Sequence, residues 1–445
     1  MRSLSANQRK RWFGLVLVFF VCMIGISSPF LNYASFPNEL RLFSGQMKRL
    51  DYNMPVRADM TVDSNLIHVN GKSEGRQSLD LNRPISIAAS KETGKATMSL
   101  KLFGAIPFKT VHVDVVPDLK VIPGGQTIGV KVKSSGILVV GHHLVKESPQ
   151  SKVSPGELAG IRLGDLIMEI NGKRVREVKQ VAEFTETAGV SKEPMKLKVK
   201  RAGKMMDIEL KPAYDADDRS WRIGLYIRDS AAGVGTLTFY APDQGVYGAL
   251  GHVITDLDTG TAIEVGDGQI LQSNVTSINK SLSGEPGEKR AHFVNESQIL
   301  GNIERNTPFG IFGKMKEMPG HSYQSEAVPV AFSEEVAEGP AEILTVLSGQ
   351  KVERFKVEIS HVSRQKSPAT KGMVIKVTDK RLLDLTGGIV QGMSGSPIMQ
   401  NGKLIGAVTH VFVNDPSSGY GCFIEWMLQD AGVLLQTSNR DLKAA

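Results

Sequence analysis

Short stretches in which apolar and polar residues alternate fill the chain from residue 36 to about residue 118. Examples are residues 65–69, 95–101 and 109–114, and polar or glycine-containing turns separate them. Alternation with a period of two is typical of strands that bury one face. We therefore predict a small all-β module at residues 36–120.

The pattern changes between residues 121 and 212. Strands are predicted at residues 128–132 and 136–140, and a hairpin is predicted at residues 195–210. Residues 177–188 have a helical period with their apolar side chains on one face. This segment is predicted to be a separate domain of strands and one helix.

After Pro212, an aspartate-rich linker leads into a second β-rich region that continues to about residue 435. Glycine and proline separate its predicted strands, which cover residues 233–240, 269–278, 328–332, 341–347, 352–361, 372–377 and 404–413. A helical period follows at residues 424–435. About 200 residues of short strands are typical of a double β-barrel or a related sandwich, which we predict for residues 213–445.

The N-terminus combines positive charge with a long apolar run. The charges lie at Arg2, Arg9, Lys10 and Arg11, and residues 12–26 are almost uninterruptedly apolar. This pattern is typical of a signal peptide or of a single membrane anchor of roughly 15 to 20 apolar residues. Since Asn32-Tyr-Ala34 is a poor match to a cleavage site, we predict a cytoplasmic basic tip and an uncleaved anchor at residues 1–35. The rest of the chain is then extracytoplasmic.

The composition argues against several other classes of function. Only two cysteines occur, Cys22 and Cys422, so a disulfide framework and a cysteine-based zinc site are excluded. His142 and His143 are adjacent on a predicted strand and point to opposite faces, which argues against a metal site. The net charge is +7, but the basic residues are scattered without an aromatic platform, which argues against nucleic-acid binding. No metal and no cofactor are predicted.

The most specific chemical signal is Gly392-Met-Ser-Gly-Ser-Pro397. Glycines beside a serine let a carbonyl substrate approach the main chain, where N–H groups stabilise the oxyanion that forms. We predict Ser394 as the nucleophile and the N–H groups of Gly392 and Ser394 as the oxyanion hole, as in trypsin-like enzymes. The apolar strand at residues 404–409 follows, as it does in those enzymes. A Gly/Ser-rich turn without chemistry is the alternative.

A serine nucleophile needs a base, and the best candidate among nine histidines is His252 in Gly251-His-Val-Ile254. A glycine precedes it and a strand is predicted to end there, which places the imidazole at the rim of a barrel. The alternative is a histidine with a purely structural hydrogen bond. His410 follows the strand after Ser394 and is predicted to line the substrate cleft.

Residues 154–173 read Ser154-Pro-Gly-Glu-Leu-Ala-Gly-Ile-Arg-Leu-Gly-Asp-Leu-Ile-Met-Glu-Ile-Asn-Gly-Lys173. This closely resembles the core Ser-Pro-Ala-x-x-Ala-Gly-Ile-x-x-Gly-Asp-x-Ile-x-x-Ile-Asn-Gly of PDZ domains. The resemblance implies a PDZ domain at residues 121–212, which binds an extended peptide as an added strand beside an exposed edge. We predict that the edge is formed by Ser135, Gly136, Ile137 and Leu138.

The chain as a whole resembles the SpoIVB-type serine peptidases of endospore-forming bacteria. The anchor, the PDZ core, Gly251-His252 and the serine motif carry the likeness, which extends to residues 406–415 and 424–427. It implies a mainly β chain with an N-terminal anchor, a small β-module, a PDZ domain and a trypsin-like double β-barrel. It also implies His252 as the general base, Ser394 as the nucleophile and Asp379 as the third member of the triad.

The position of that third member is open. Trypsin-like enzymes order the triad His, Asp, Ser, which Asp379 satisfies, but they place the Asp much further ahead of the serine. Asp256 and Asp258 are nearer to His252 in sequence, and their chain would have to fold back sharply to reach its ring. Asp379 follows a predicted strand that ends at the barrel rim beside the serine loop, and it is our prediction.

The resemblance further implies a location and a substrate. The peptidase would act in the space between forespore and mother cell, cleave itself, and cut a regulatory membrane protein that restrains an intramembrane metalloprotease. A late sigma factor would then be processed. Residues 35–63 show few strand signals, so we predict that they are exposed and contain the self-cleavage site. The rival hypothesis is a non-catalytic, extracytoplasmic PDZ adaptor.

Met393 marks a departure from the digestive trypsin-like enzymes. Those enzymes have an Asp before the nucleophile, and it pairs with a newly cut N-terminus. Activation through that ion pair is not available to this chain. Control is therefore expected to come from the PDZ domain or from self-cleavage.

Overall fold

The computed structural model describes residues 38–51, 54–73, 75–294, 298–315, 318–320, 323, 325–365 and 367–433. The chain divides into two compact units, Met1–Leu119 and Lys120–Ala445. The predicted anchor at residues 1–35 lies outside the described residues. Within the described ranges, no helix combines the length and the apolar character that a membrane span requires.

The first unit is a small β-sandwich. Its strands are β1 (Glu39–Phe43), β2 (Met47–Leu50), β3 (Arg57–Val62), β4 (Ile67–Val69), β5 (Gln77–Asp80), β6 (Ile85–Ala89), β7 (Gly94–Leu102) and β8 (Ile106–Val116). One sheet has the order β1-β8-β7-β3-β5 and the other has the order β2-β6-β4. Leu42 and Met60 from the first sheet share one core with Ile67 and Ile87 from the second. The period of two in the sequence reflects this single buried face of each sheet.

The described part of residues 35–63 is not the exposed, strand-poor segment that the sequence predicted. β1, β2 and β3 lie within it, and Leu40, Leu42 and Met60 are at most 3% exposed. The polar residues that suggested a loop alternate with these buried ones, so they form the outer face of paired strands. Self-cleavage in this segment stays a prediction, and it would have to occur in the turns between the strands or after a strand detaches.

The second unit contains all other elements. Its strands are β9 (Lys120–Pro123), β10 (Thr127–His142), β11 (Val145–Ser148), β12 (Ser151–Val153), β13 (Leu166–Ile170), β14 (Lys173–Arg174), β15 (Met195–Arg201), β16 (Lys204–Leu210), β17 (Ala213–Asp215), β18 (Ser220–Arg222), β19 (Leu225–Ala241), β20 (Val246–Ala249), β21 (Val265–Asn279), β22 (Glu288–Phe293), β23 (Ile299–Asn302), β24 (Arg305–Thr307), β25 (Gly310–Lys314), β26 (Val328–Pro329), β27 (Gly339–Val346), β28 (Val352–Val362), β29 (Met373–Val377), β30 (Pro397–Gln400), β31 (Lys403–Phe412) and β32 (Asp415–Phe423). Its helices are α1 (Pro155–Leu158), α2 (Val178–Ser191), α3 (Lys380–Thr386) and α4 (Ile424–Asp430), with a 3-10 turn at Ser333–Glu335.

β10 and β19 are long strands, and each of them takes part in two sheets. They pair from Thr127↔Thr236 to Lys133↔Ser230, and after a bulge they pair again from Leu138↔Arg228 to His142↔Leu225. The first stretch belongs to a barrel and the second to the PDZ region, residues 137–229. The PDZ region is thus inserted into the barrel. The predicted borders at residues 120/121 and 212/213 do not reflect these shared strands, because a strand that continues from one domain into another carries no boundary signal in the sequence.

The PDZ region has a sheet of order β16-β15-β13-β10, which packs with α2 around one core. The hairpin of β15 and β16 is paired as the sequence predicted. α2 begins one residue later than predicted, because Glu177 is its N-cap and donates its N–H to the side chain of Gln180.

The first barrel is a ring of six strands. β10 pairs with β19 and β21, β19 pairs with β20, β20 with β25, and β21 with β23. A single bridge between Gly301 and Met315 closes the ring between β23 and the end of β25. Ile128, Leu237 and Ile270 belong to its core. β22 lies outside the ring and pairs with the second half of β21.

The second barrel is closed in the order β27-β28-β29-β32-β31-β30. Ile343, Phe355, Ile375, Ile398 and Val408 are fully or almost fully buried in it. The prediction of a mainly β chain is confirmed, and the two rings of strands correspond to the predicted pair of barrels. The serine loop precedes β30 of the second barrel, whereas the candidate base follows β20 of the first.

Candidate active site

Ser394 lies in the loop between α3 and β30, with a glycine close on each side. Gly392 has φ 92° and Gly395 has φ 93°, a region of backbone conformation that favours glycine. The serine side chain is half-buried, and its Oγ donates a hydrogen bond to the Thr409 carbonyl at 2.8 Å. The glycines of the motif are therefore needed for the shape of the loop as well as for access of a substrate.

β19 of the first barrel holds this loop in place. The Thr236 N–H donates to the Ser394 carbonyl at 3.0 Å, and the Thr236 hydroxyl donates to the Gly392 carbonyl at 2.8 Å. The Thr238 hydroxyl donates to the Gly395 carbonyl at 2.8 Å. Both threonines are completely buried. Two side chains and one main-chain N–H of β19 thus hold three carbonyl groups around the nucleophile.

Gly395 also brings the segment before His252 close to the serine. A Cβ at Gly395 would lie 2.4 Å from the Leu250 backbone nitrogen, and one at Gly251 would lie 3.2 Å from the Thr409 side chain. The loop of the second barrel and the end of β20 are therefore in direct contact. This close approach places Gly251, the residue before the candidate base, and the candidate nucleophile Ser394 both next to Thr409.

His252 is half-buried, and its Nδ1 lies 2.9 Å from the Val253 carbonyl oxygen. A carbonyl only accepts, so Nδ1 carries the proton and Nε2 is free to act as a base. Burial lowers the pKa of His252, and the Val253 carbonyl raises it by less. The imidazole is therefore neutral at pH 7, which is the form a general base requires.

His410 lies beside His252, with the two ring centroids 5.2 Å apart. Burial, His252 and Lys371 each lower the pKa of His410. The ring lies at the site beside the Thr409 carbonyl that accepts the Ser394 hydroxyl. The prediction that His410 lines the cleft is consistent with this position.

The N–H groups of Gly392 and Ser394, the predicted oxyanion hole, differ from those of their neighbours in the loop. The N–H groups of the neighbouring residues Gln391, Met393 and Gly395 each donate to a backbone carbonyl. Within the described part of the chain, those of Gly392 and Ser394 donate to no protein acceptor. They remain available to an oxyanion that forms next to the serine.

Asp379 and His252 are not brought together. Asp379 is the N-cap of α3, and its carboxylate accepts from the N–H groups of Lys356 at 3.2 Å, Arg381 at 3.0 Å and Leu382 at 3.3 Å. The structure therefore gives this carboxylate a capping role. Its role as third member of the triad stays a prediction.

Asp256 and Asp258 do not contact the imidazole either. Both bind Arg228, with Asp256 at 2.8 Å and Asp258 at 2.6 Å from the guanidinium. Asp256 also accepts from the Thr259 N–H. In the described part of the chain, the Val253 carbonyl is the hydrogen-bond partner that orients His252.

Asp379→Asn separates capping from catalysis, because asparagine caps a helix about as well as aspartate does. We expect the free energy of unfolding to stay within a few tenths of a kcal/mol of the wild type. If Asp379 is the third member, kcat/KM should fall about ten-thousand-fold, as for loss of that carboxylate elsewhere. Asp256→Asn is the matched control. If Asp379→Asn keeps wild-type activity, Asp379 is not a member of the triad, and the Val253 carbonyl is the group that orients His252.

The predicted peptide-binding edge of the PDZ region is not exposed. Ser135, Ile137 and Leu138 are at most 7% exposed, and Gly136 is buried with them. Ile137 and Leu138 pair with β13, Leu138 also pairs with β19, and the Ser135 N–H donates to the Glu264 carbonyl. The sequence showed a strand there, but it could not show that β19 pairs with that strand. In the described part of this sheet, β16 has the open edge.

The sequence did not point to three residues near the site, Thr236, Thr238 and Lys289. Thr236 and Thr238 alternate along β19, and this was a usable signal of a polar face at a site. Lys289 lies between Glu288 and Arg290 and looks like one of three exposed charges. Only the packing of the two barrels buries it.

Comparison with known proteins gives two family matches. Residues 219–428 match the SpoIVB peptidase S55 family, and residues 150–201 match a PDZ domain. Two solved structures of the Rv3671c protease from M. tuberculosis, an active and an inactive form, are also similar. Their sequence identities are 14% and 12%, both with a TM-score of 0.25. The matches cover 47% and 45% of this chain and 78% and 84% of those chains.

The S55 match spans β19, His252 and the whole serine loop, which are the elements that form the site. The PDZ match spans α1, α2 and β15, the first strand of the hairpin. The chain is therefore a serine peptidase that matches the SpoIVB peptidase S55 family over residues 219–428 and a PDZ domain over residues 150–201.

Proposed function

We propose that the chain is a membrane-anchored endopeptidase of sporulation that cuts itself and a regulatory membrane protein. The observation that carries its peptide-bond chemistry is that the nucleophile and the base lie against adjacent residues of β31. The Ser394 hydroxyl donates to the Thr409 carbonyl, the neutral His252 ring lies beside the His410 ring, and two N–H groups of the serine loop donate to no protein acceptor among the described residues. The match to the SpoIVB family supports the sporulation role.

His252 and Ser394 act together in the proposed reaction. When a peptide enters, the Ser394 hydroxyl turns from the Thr409 carbonyl to His252 Nε2, which takes its proton as Oγ attacks the carbonyl carbon. The oxyanion is held by the N–H groups of Gly392 and Ser394. His252 then gives the proton to the leaving amine. Water, deprotonated by the same ring, releases the acyl group from the serine.

The proposed location is the space between forespore and mother cell, with the peptidase held there by residues 1–35. Positive residues before the apolar run support an anchor with a cytoplasmic N-terminus. The proposed partner is a membrane protein that restrains an intramembrane metalloprotease. Its cleavage would release processing of a late sigma factor. The PDZ domain would present an extended peptide of the substrate, or of the enzyme itself, to Ser394.

A fluorophosphonate probe on the full-length protein tests the chemistry, because it labels an activated serine and not an ordinary turn serine. We expect labelling of wild type and of Ser396→Ala, and none of Ser394→Ala. Ser396 is a matched control, since it is two residues away, completely buried, and has no hydrogen-bond partner for its Oγ. Labelling of all three proteins, or of none, would contradict the assigned site.

The finer role needs a second assay in vesicles. Wild type should shorten a tagged full-length Ser394→Ala chain, which cannot shorten itself, and N-terminal sequencing should locate the cut. Wild type should also cut the co-reconstituted regulatory membrane protein. A labelled, active peptidase that leaves both proteins intact would contradict the sporulation role while leaving the peptidase assignment in place.

A further inference from the structure

Lys289 is a buried cation directly behind the serine loop. Among the described lysines it alone is buried, with 2% of its surface exposed. Its Nζ lies 3.3 Å from the Thr127 hydroxyl on β10 and 3.0 Å from the Thr345 hydroxyl on β27. In the described part of the chain, no carboxylate forms an ion pair with it. The side chain therefore joins the first barrel to the second through two neutral hydroxyls.

The same residue supports the oxyanion hole through its main chain and its stem. The Lys289 N–H donates to the Gln391 carbonyl at 2.8 Å. The Gln391 carbonyl and the Gly392 N–H belong to one trans peptide, in which the C=O and the N–H point in opposite directions. Because the carbonyl points to β22, the Gly392 N–H points away from β22. A Cβ at Gly392 would lie 3.0 Å from the Lys289 Cβ, so the loop rests on the lysine stem. Because Nζ is fixed between two barrels, the stem cannot swing away.

We propose that Lys289 is a positioning residue for the oxyanion hole, and that its ammonium form holds the Gly392 peptide in the orientation that stabilises the transition state. Met393 occupies the place of the Asp whose ion pair orders this loop in digestive trypsin-like enzymes. Lys289 supplies a buried positive charge on the other side of the loop. That charge also favours an oxyanion on the Gly392 N–H in a site of low dielectric. The proposal rests on Ser394 as nucleophile and not on the identity of the membrane substrate.

Burial lowers the pKa of Lys289 to about 7. The charged groups on the elements around it are directed to solvent or to other partners. On β22, Glu288, Arg290 and His292 are exposed, as is Lys280 after β21. Lys131 on β10 lies over the Phe293 ring. Glu342 on β27 pairs with Arg354, and Glu353 on β28 pairs with Arg381. Among these groups Lys289 is the buried one, and its pKa lies near neutrality.

The direction of the pH effect follows from the two ionisations. His252 must be neutral, so activity appears as pH rises through its pKa, which lies below the ordinary 6.5. Lys289 must be charged, so its contribution disappears as pH rises through about 7. The wild-type profile of kcat/KM against pH should then be a narrow bell whose alkaline limb belongs to Lys289.

Lys289→Met tests this, because methionine keeps the length of the stem and the main-chain bond but removes the charge. We expect kcat to fall about 10- to 100-fold below pH 7 with KM unchanged, less than for loss of a direct oxyanion donor. The alkaline limb should be absent from the variant. Fluorophosphonate labelling, which needs no peptide substrate, should slow by the same factor.

Folding is checked separately. A buried, unpaired charge opposes folding, so Lys289→Met should be at least as stable as wild type. The wild type should gain stability relative to the variant as pH rises from about 7 to 10.5, where the folded chain binds fewer protons than the unfolded one. Lys351→Met is the control, since Lys351 is exposed. It should keep the wild-type rate and pH profile.

Thr345→Val provides a second, isosteric variant that removes one acceptor of the ammonium. It should move the alkaline limb to lower pH, because a hydrogen bond that favours the charged form is lost. If Lys289→Met keeps the wild-type kcat and alkaline limb while Ser394→Ala is inactive, the proposal for Lys289 is wrong and the peptidase assignment stands. If Ser394→Ala is active as well, the peptidase site itself is wrongly placed.

Discussion

Ser394→Ala is expected to lower kcat about a million-fold and to leave the fold intact. The hydroxyl oxygen forms the bond to the acyl group, and the alanine methyl group cannot do so. Removing the hydroxyl should cost little stability, since Oγ is half-buried and makes one hydrogen bond, to the Thr409 carbonyl. A bond of this kind contributes about 1 kcal/mol. Peptide cleavage under single-turnover conditions measures the loss, and thermal unfolding checks the fold.

The control for this experiment is Ser396→Ala, in the same motif. The Ser396 hydroxyl is completely buried without a partner, so its removal should leave the rate unchanged and the stability equal or slightly higher. Cleavage by Ser394→Ala at the wild-type rate would exclude it as the nucleophile. An equal loss in both variants would indicate damage to the loop in place of lost chemistry.

His252→Ala is expected to cost about as much as Ser394→Ala, because a hydroxyl without its base is a poor nucleophile. The two residues should also behave as a unit. The double variant Ser394→Ala/His252→Ala should lose no more than either single variant, whereas independent contributions would multiply. Single-turnover cleavage by the three variants tests this.

His410→Ala is the matched control for the base. Its ring lies 5.2 Å from that of His252 and carries a lowered pKa as well, so it shares the environment without the proposed role. We expect a loss that appears mainly in KM, as for a residue of the cleft. If His410→Ala lowers kcat a million-fold while His252→Ala stays active, His410 is the general base and His252 is the cleft residue.

The local patterns of the sequence predicted the elements well. The alternation at residues 352–361 and 404–413 corresponds to β28 and β31, and the helical period at residues 177–188 corresponds to α2. These signals survive in the structure because each element buries one face, and the spacing of buried residues along a strand or helix is fixed by its geometry. Residues 38–63 show the limit, since short strands with polar outer faces resemble a loop.

The serine motif could be found from the sequence because its chemistry is local. Gly392, Ser394 and Gly395 are close in the chain, and the glycines are needed for conformations that other residues rarely adopt. The pairing of Ser394 with His252 is predicted from motif and family, and the structure packs the serine loop against the segment before His252 through the contact of Gly395 with Leu250.

The sequence by itself determined the strands, the PDZ core and the nucleophile loop, since these depend on residues that are neighbours along the chain. Tertiary structure alone decided what lies beside them. It paired β19 with the predicted PDZ edge, gave Asp379 a helix to cap, and buried Lys289 behind the serine loop. Each of these depends on contacts between residues far apart in sequence, and neither period nor motif encodes which distant strands will pack together.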